Sequence, residues 1–109
     1  MEKRKRVQLS AQFETDIQSI YEYGVETFGH NTAELYKQHT MALSYGLCDF
    51  YLMYPECKYI LTKGRIYRNI ILESHLIIYR ITPEKIEVLR VLHSHSSITK
   101  IRSARSIKL

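Results

Sequence analysis

The chain has 109 residues, an apolar fraction of 45% and a formal net charge of +5. That length supports one domain with a single modest core, and no apolar run approaches the roughly 20 residues of a membrane span. The basic start MEKRKRVQLS leads into no apolar signal core, which argues against secretion. Cys48 and Cys57 match neither a zinc pattern nor a disulfide framework. A reduced, cytoplasmic protein is expected, with Cys48 as a small core residue.

Arg6-Val7-Gln8-Leu9 alternates and is short, which predicts an opening edge strand with Val7 and Leu9 turned inward. Ser10 is placed to cap the helix that follows. Phe13, Ile17, Ile20, Tyr21, Gly24 and Phe28 then recur on one helical face, with Glu14, Asp16, Glu22 and Glu26 largely off it. Gly24 would let another element approach closely, and Gly29 would end the helix. Asn31 and Glu34 have the spacing of a capping box. A second stripe, Tyr36, Thr40, Leu43, Leu47, Phe50 and Tyr54, predicts a helix from about Asn31 to about Phe50, ending before Pro55. With only Gly29-His30 between them, the two helices should form an antiparallel hairpin.

Beyond Glu56–Gly64 the periodicity changes to that of strands. Ile66, Ile70 and Leu72 mark one strand, Leu76 to Ile81 the next and Ile86 to Leu92 the third. Glu73-Ser74 and Thr82–Lys85 are the turns, and Pro83, which has no N–H, belongs outside the ladder. Pairing Ile81 with Ile86 sets Arg80 opposite Glu87 and Tyr79 opposite Val88, a register favoured by the opposed charges. Carried along the hairpin, it sorts Ile77, Tyr79, Ile81, Ile86, Val88, Arg90 and Leu92 onto one face. Leu76, Ile78, Arg80, Glu87, Leu89, Val91 and His93 fall on the other. Arg90 would then either extend to the sheet rim or project for function.

The last stretch, ITKIRSARSIKL, is basic. Ile98, Ile101 and Ala104 allow a short amphipathic helix, but a helix this short is marginal in isolation and disorder is an equal expectation. The charges are unevenly distributed. Residues 7–57 hold seven acidic groups and one basic; residues 58–109 hold eleven basic groups and three acidic. An acidic helical half joined to a basic sheet half would attract phosphate backbones or an acidic protein segment.

The order strand–helix–helix–strand–strand–strand resembles the RelE/ParE superfamily of bacterial type II toxin–antitoxin toxins. The matching residues are Leu9-Ser10, Phe28-Gly29 with Ala33 and Tyr36, Pro55, Arg68, Ile78-Tyr79-Arg80-Ile81, Ile86 and Val91-Leu92-His93. The resemblance implies an α+β fold, β-α-α-β-β-β, with a helical hairpin packed on a small antiparallel sheet in two layers. It spans residues 7–96, leaving a basic N-terminal tail (1–6) and a basic C-terminal tail (97–109). It also implies a small cytoplasmic toxin with no cofactor and no membrane contact, neutralised by a cognate antitoxin in a hetero-oligomer.

Two chemistries occur in that superfamily. A RelE-like member is a metal-independent mRNA endonuclease acting on the ribosome, which needs a base, an acid and cations for the charged phosphorane. Arg65, Arg68, Arg90, His93 and His95 would be the candidates here. A ParE-like member inhibits DNA gyrase and needs no catalytic set; the Leu92-His93 exit, with no tyrosine after Tyr79, is closer to that branch. His93-Ser94-His95 lacks a third ligand nearby, so no metal is expected. Another class of reading is a non-catalytic nucleic-acid-binding module that uses Arg65, Arg68, Arg90 and the basic tail on phosphates. Antitoxin contacts are expected at Tyr21, Tyr51, Tyr54, Arg68 and Arg80, where apolar surface beside the hairpin meets the basic half.

Overall fold

A computed structural model describes residues 3–109; the first two residues of the basic N-terminal stretch lie outside the described residues. The elements are β1 (Arg6–Leu9), α1 (Ala11–Phe28), α2 (His30–Phe50), β2 (Tyr67–Ile71), β3 (His75–Ile81), β4 (Lys85–His93), α3 (Ile98–Arg102) and a 3-10 turn (Ser103–Ser106). The strands form one sheet in the order β1-β4-β3-β2. β2, β3 and β4 are an antiparallel meander, and β1 joins the outer edge of β4 in parallel.

Ser10 caps α1, its hydroxyl oxygen accepting the Phe13 N–H at 2.9 Å. Gly29 closes α1 with φ 90°, a left-handed conformation open to glycine, and its N–H returns to the Val25 carbonyl. Gly29 is also the N-cap of α2, with no side-chain cap bond. The expected Asn31–Glu34 capping box therefore does not form: Asn31 already lies in the first turn, and Glu34 accepts from Gln38 instead. The helices approach closely at Gly24, where a Cβ would come within 3.2 Å of the Ala33 Cβ. Phe28 and Phe50, expected on the buried stripes, are 66% and 52% exposed; at the end of α2 the neighbouring Leu47 and Tyr51 turn into the core instead.

The helices cover one face of the sheet. Phe13, Ile17, Leu47 and Tyr51 pack there against Ile70, Ile77, Tyr79, Ile86, Val88 and Val91, with Val7 and Leu9 at the margin. The other face is covered too. Cys57, Ile60, Ile101, Ala104 and Ile107 pack against Ile78, Leu89 and Leu92. The body thus has a third layer beyond the expected helix and sheet layers, built from the loop after α2 and the C-terminal segment. Strands buried on both sides read as near-continuous apolar runs, as HLIIYRI and KIEVLRVLH do.

The hairpin register starts as expected, with Ile81 opposite Ile86, Arg80 opposite Glu87 and Tyr79 opposite Val88. It then slips by one residue at Leu89, so that Ile78 faces Arg90, Ile77 faces Val91 and His75 faces His93. Leu89 has no partner on β3, which is the pattern of a β-bulge. The N-cap of α1 and one of its helical residues hold it in place. The Ser10 hydroxyl donates to the Leu89 carbonyl at 2.6 Å, and Asp16 Oδ2 accepts the Val91 N–H at 3.2 Å. The slip corrects the face assignment: Val91 joins the helix-facing core and Leu92 the opposite one.

Candidate functional site

The basic side chains of the meander have internal partners. Arg90 donates to Asp16 through Nε at 2.6 Å and Nη2 at 2.8 Å, a bidentate pair with side chains 19% and 14% exposed. Expected at the sheet rim or projecting for function, Arg90 instead turns onto α1 and pairs with Asp16. Arg68 donates to the carbonyls of Arg65, Leu52 and Tyr54 at 3.1, 3.1 and 3.0 Å, fastening the chain that leaves α2. Arg80 donates to Glu87 at 2.6 Å and to the Ile107 carbonyl at 2.7 Å. Burial opposes the Arg80 charge, but bonds to Tyr67 and Glu87 outweigh it and raise the guanidinium pKa. Arg65 alone of these is exposed, at a loop tip with φ 53°.

The histidines gather at the other end of the sheet. The bulge sets His75 across from His93, with ring centroids 5.5 Å apart, and His95 stacks obliquely on His93 at 5.3 Å. The His95 N–H donates to His93 Nδ1 at 3.1 Å, while Tyr36 of α2 bonds His75 Nδ1 at 2.7 Å. Burial first, then His93, lowers the His75 pKa from its ordinary 6.5. Burial, with a smaller push from Glu73, raises that of Tyr36. A neutral His75 accepting the tyrosine proton is the arrangement both directions favour. Local spacing does not single out His75, because only the register slip carries it to His93.

The candidate cations and imidazoles do not converge. Arg68 faces Tyr79 and His93 faces His75. Four residues of strand separate those two rungs, roughly 13 Å at about 3.3 Å per residue. Arg65 precedes β2 and lies beyond the Arg68 rung, farther still from the histidines. No group of three or more His, Cys, Asp or Glu side chains among the described residues could hold a metal ion. The cysteines are both free, and Cys57 rather than Cys48 is the core thiol; burial pushes its pKa up.

The tyrosines divide between core and surface. Tyr51 is 4% exposed and its hydroxyl donates to the Lys3 carbonyl at 2.7 Å. Tyr79 is wholly buried and donates to the Tyr51 carbonyl at 2.6 Å. Tyr21 is half-buried between His30 and Lys37. Tyr54 packs edge-on against Tyr79 and borders a shallow cleft of about 340 Å³ along α2, lined also by His39, Ala42, Leu43, Phe50 and Met53. Met53 is 72% exposed, so this cleft presents an uncovered apolar surface.

A family model described as "ParE toxin of type II toxin-antitoxin system, parDE" matches residues 7–98, from β1 to the start of α3. The chain belongs to the ParE toxin family. A search of curated proteins finds no match. Among solved structures, the chromosomal ParDE TA system from P. aeruginosa is similar in fold, with a TM-score of 0.69 at 16% sequence identity. The similarity covers 84% of this chain and 98% of that one. The membership identifies a toxin domain of a type II toxin–antitoxin system and bears out the α+β architecture. In this ParE-family chain, the segment after residue 98 lies outside the family match, yet Ile101, Ala104 and Ile107 complete the second core. No described helix is long and apolar enough to cross a membrane.

Proposed function

We propose that this chain acts in the cytoplasm as a ParE-type toxin that inhibits DNA gyrase and is neutralised by a cognate antitoxin. The observation that carries the reading is the scatter of the nuclease candidates. General acid–base cleavage of RNA needs its groups within hydrogen-bond reach of one phosphate. Here Arg90 is paired with Asp16, Arg68 holds three carbonyls, and the histidines lie at the far end of the sheet. Such a surface suits inhibition by binding, which needs no reactive set.

For the antitoxin, the α2 cleft at Phe50, Met53 and Tyr54 supplies apolar surface for an amphipathic segment, with Tyr21 on the same helical hairpin. Tyr51 and Arg80 serve the fold in the free toxin, and Arg68 adds only the edge of its guanidinium.

One observation favours a second reading. His75, His93 and His95 with Tyr36 form a cluster that could supply acid–base groups for ribosome-dependent mRNA cleavage. Two assays on the same preparation separate the readings. The purified chain is titrated into a gyrase supercoiling reaction and into a ribosome programmed with a defined message. The favoured reading expects lost supercoiling and intact message; cut message with normal supercoiling reverses it.

A further inference from the structure

The outer layer carries a row of cations with no carboxylate partner. From α3 through the 3-10 turn to its C-cap, Ile101, Ala104 and Ile107 are buried at three-residue intervals. The same spacing leaves Arg102, Arg105 and Lys108 exposed on the opposite side. At about 1.5–2 Å rise per residue, Arg102 and Arg105 lie roughly 4.5–6 Å apart along the segment, and Lys108 follows just beyond its extended C-cap. The Arg102 side chain donates to the Tyr59 carbonyl at 3.1 Å, tying the segment to the loop after α2, where Lys58, Lys63 and Arg65 are also exposed. None of these six enters an ion pair among the described residues. The nearby Glu56 carboxylate is turned inward onto the Thr62 N–H.

We propose that this face, formed by the 58–65 loop and the 98–108 segment, binds the phosphate backbone of duplex DNA, and that in the inhibited complex it lies against the DNA held by gyrase. Charge complementarity selects the occupant. An amphipathic protein segment would need a continuous apolar seat, and Cys57, Ile60, Ile101, Ala104 and Ile107 of this layer face inward against Ile78, Leu89 and Leu92, with Leu61 and Ile98 the exposed exceptions among six exposed cations. A polyanion needs only fixed cations. The row is held by a buried core and by the Arg80 bond to the Ile107 carbonyl, so little ordering cost remains on binding. The clause that places gyrase's DNA on this face rests on the function proposed above; duplex binding by the face does not.

The test is fluorescence anisotropy of the purified chain with a labelled duplex of about 20 base pairs, titrated between about 50 and 200 mM salt. The wild type should bind with a steep salt dependence. R102Q/R105Q/K108Q should weaken binding by about tenfold or more at the lower salt and flatten the log–log slope by about 0.9 per lost phosphate contact. K58Q/K63Q/R65Q should act in the same direction without touching the C-terminal segment. K3Q/R4Q/R6Q removes the same net charge from exposed residues at the other end of the chain and should bind nearly as the wild type does.

Equal losses in all three variants, or no salt-dependent binding by the wild type, overturn the proposal. Circular dichroism melts of each variant confirm that the fold is retained. A parallel supercoiling assay separates the two claims. A wild type that inhibits gyrase while R102Q/R105Q/K108Q inhibits equally well defeats the DNA-facing role and leaves the gyrase reading standing. Face-dependent duplex binding without gyrase inhibition does the reverse.

Discussion

Asp16 shows how much one side chain on α1 determines in this fold. Its carboxylate takes both arms of the Arg90 guanidinium and the backbone N–H of Val91, immediately after the bulge. Removing it would leave a largely buried guanidinium and an unpaired amide. Breaking a pair of this kind costs about 3 kcal/mol, so Asp16→Ala should lower the unfolding free energy by about that amount in urea titrations. A loss within the ~0–1 kcal/mol typical of surface pairs would show that the pair is not structural. In the sequence, Asp16 was one of several acidic residues off the apolar stripe; nothing in its spacing distinguished it from Glu22 or Glu26. Its partner sits 74 residues away across a register slip, beyond the reach of local pattern.

His75 gives a prediction with a sign. Burial and His93 hold its pKa below 6.5, so the folded chain stays neutral there while the unfolded chain takes up a proton. The unfolded state then binds more protons, and stability falls as pH drops through the unfolded value toward the folded one. The contribution is fully present above the ordinary histidine range. On going from about pH 7.5 to about pH 5.5, the wild-type melting temperature should fall by more than that of His75→Gln. Parallel falls would mean that the imidazole is equally accessible to protons in both states. Tyr36 and His93 contact its ring directly, while Glu73 acts on Tyr36 and His95 packs on the far partner His93.

At the scale of elements, the helices, the strands and the start of the hairpin register were legible because each follows from local periodicity. Two features were not. A β-bulge inserts one residue without changing composition, so a strict two-residue alternation ran through Leu89 and assigned Val91 and Leu92 to the wrong faces. Ser10 gave half the clue, since its capping role was readable but its second bond to the Leu89 carbonyl was not. The C-terminal segment was equally compatible with helix and disorder, because its order comes from burial rather than from helix propensity. Ile101 is 2% exposed beneath it. Ile101→Ala should cost about 3 kcal/mol, within the usual range for a buried aliphatic truncation, with a drop in urea midpoint and little change in slope. A cost under ~1 kcal/mol would mean that the segment is only loosely docked.

The whole molecule is a sheet between two unlike layers. The inner layer is the acidic hairpin with its apolar cleft along α2; the outer layer is short, basic and held by Arg80. That division was visible as a charge asymmetry along the chain. Its three-dimensional form required a third layer that a two-layer expectation did not include. The candidate site was less legible than the fold. The expected arginines were the correct residues to notice, but three of the four have structural partners, whereas His75 joins His93 and His95 only because the bulge aligns two strands. Family membership identifies a type II toxin domain, and the dispersed reactive groups support the proposal that it works by occupying its target.

The most direct measurement of that claim is gyrase supercoiling in the presence of the purified H93A/H95A double variant. Inhibition equal to that of the wild type is expected, because a toxin that acts by binding gives neither exposed imidazole a part in a reaction. Absence of inhibition by the wild type, together with ribosome-dependent message cleavage that disappears in H93A/H95A, would contradict it.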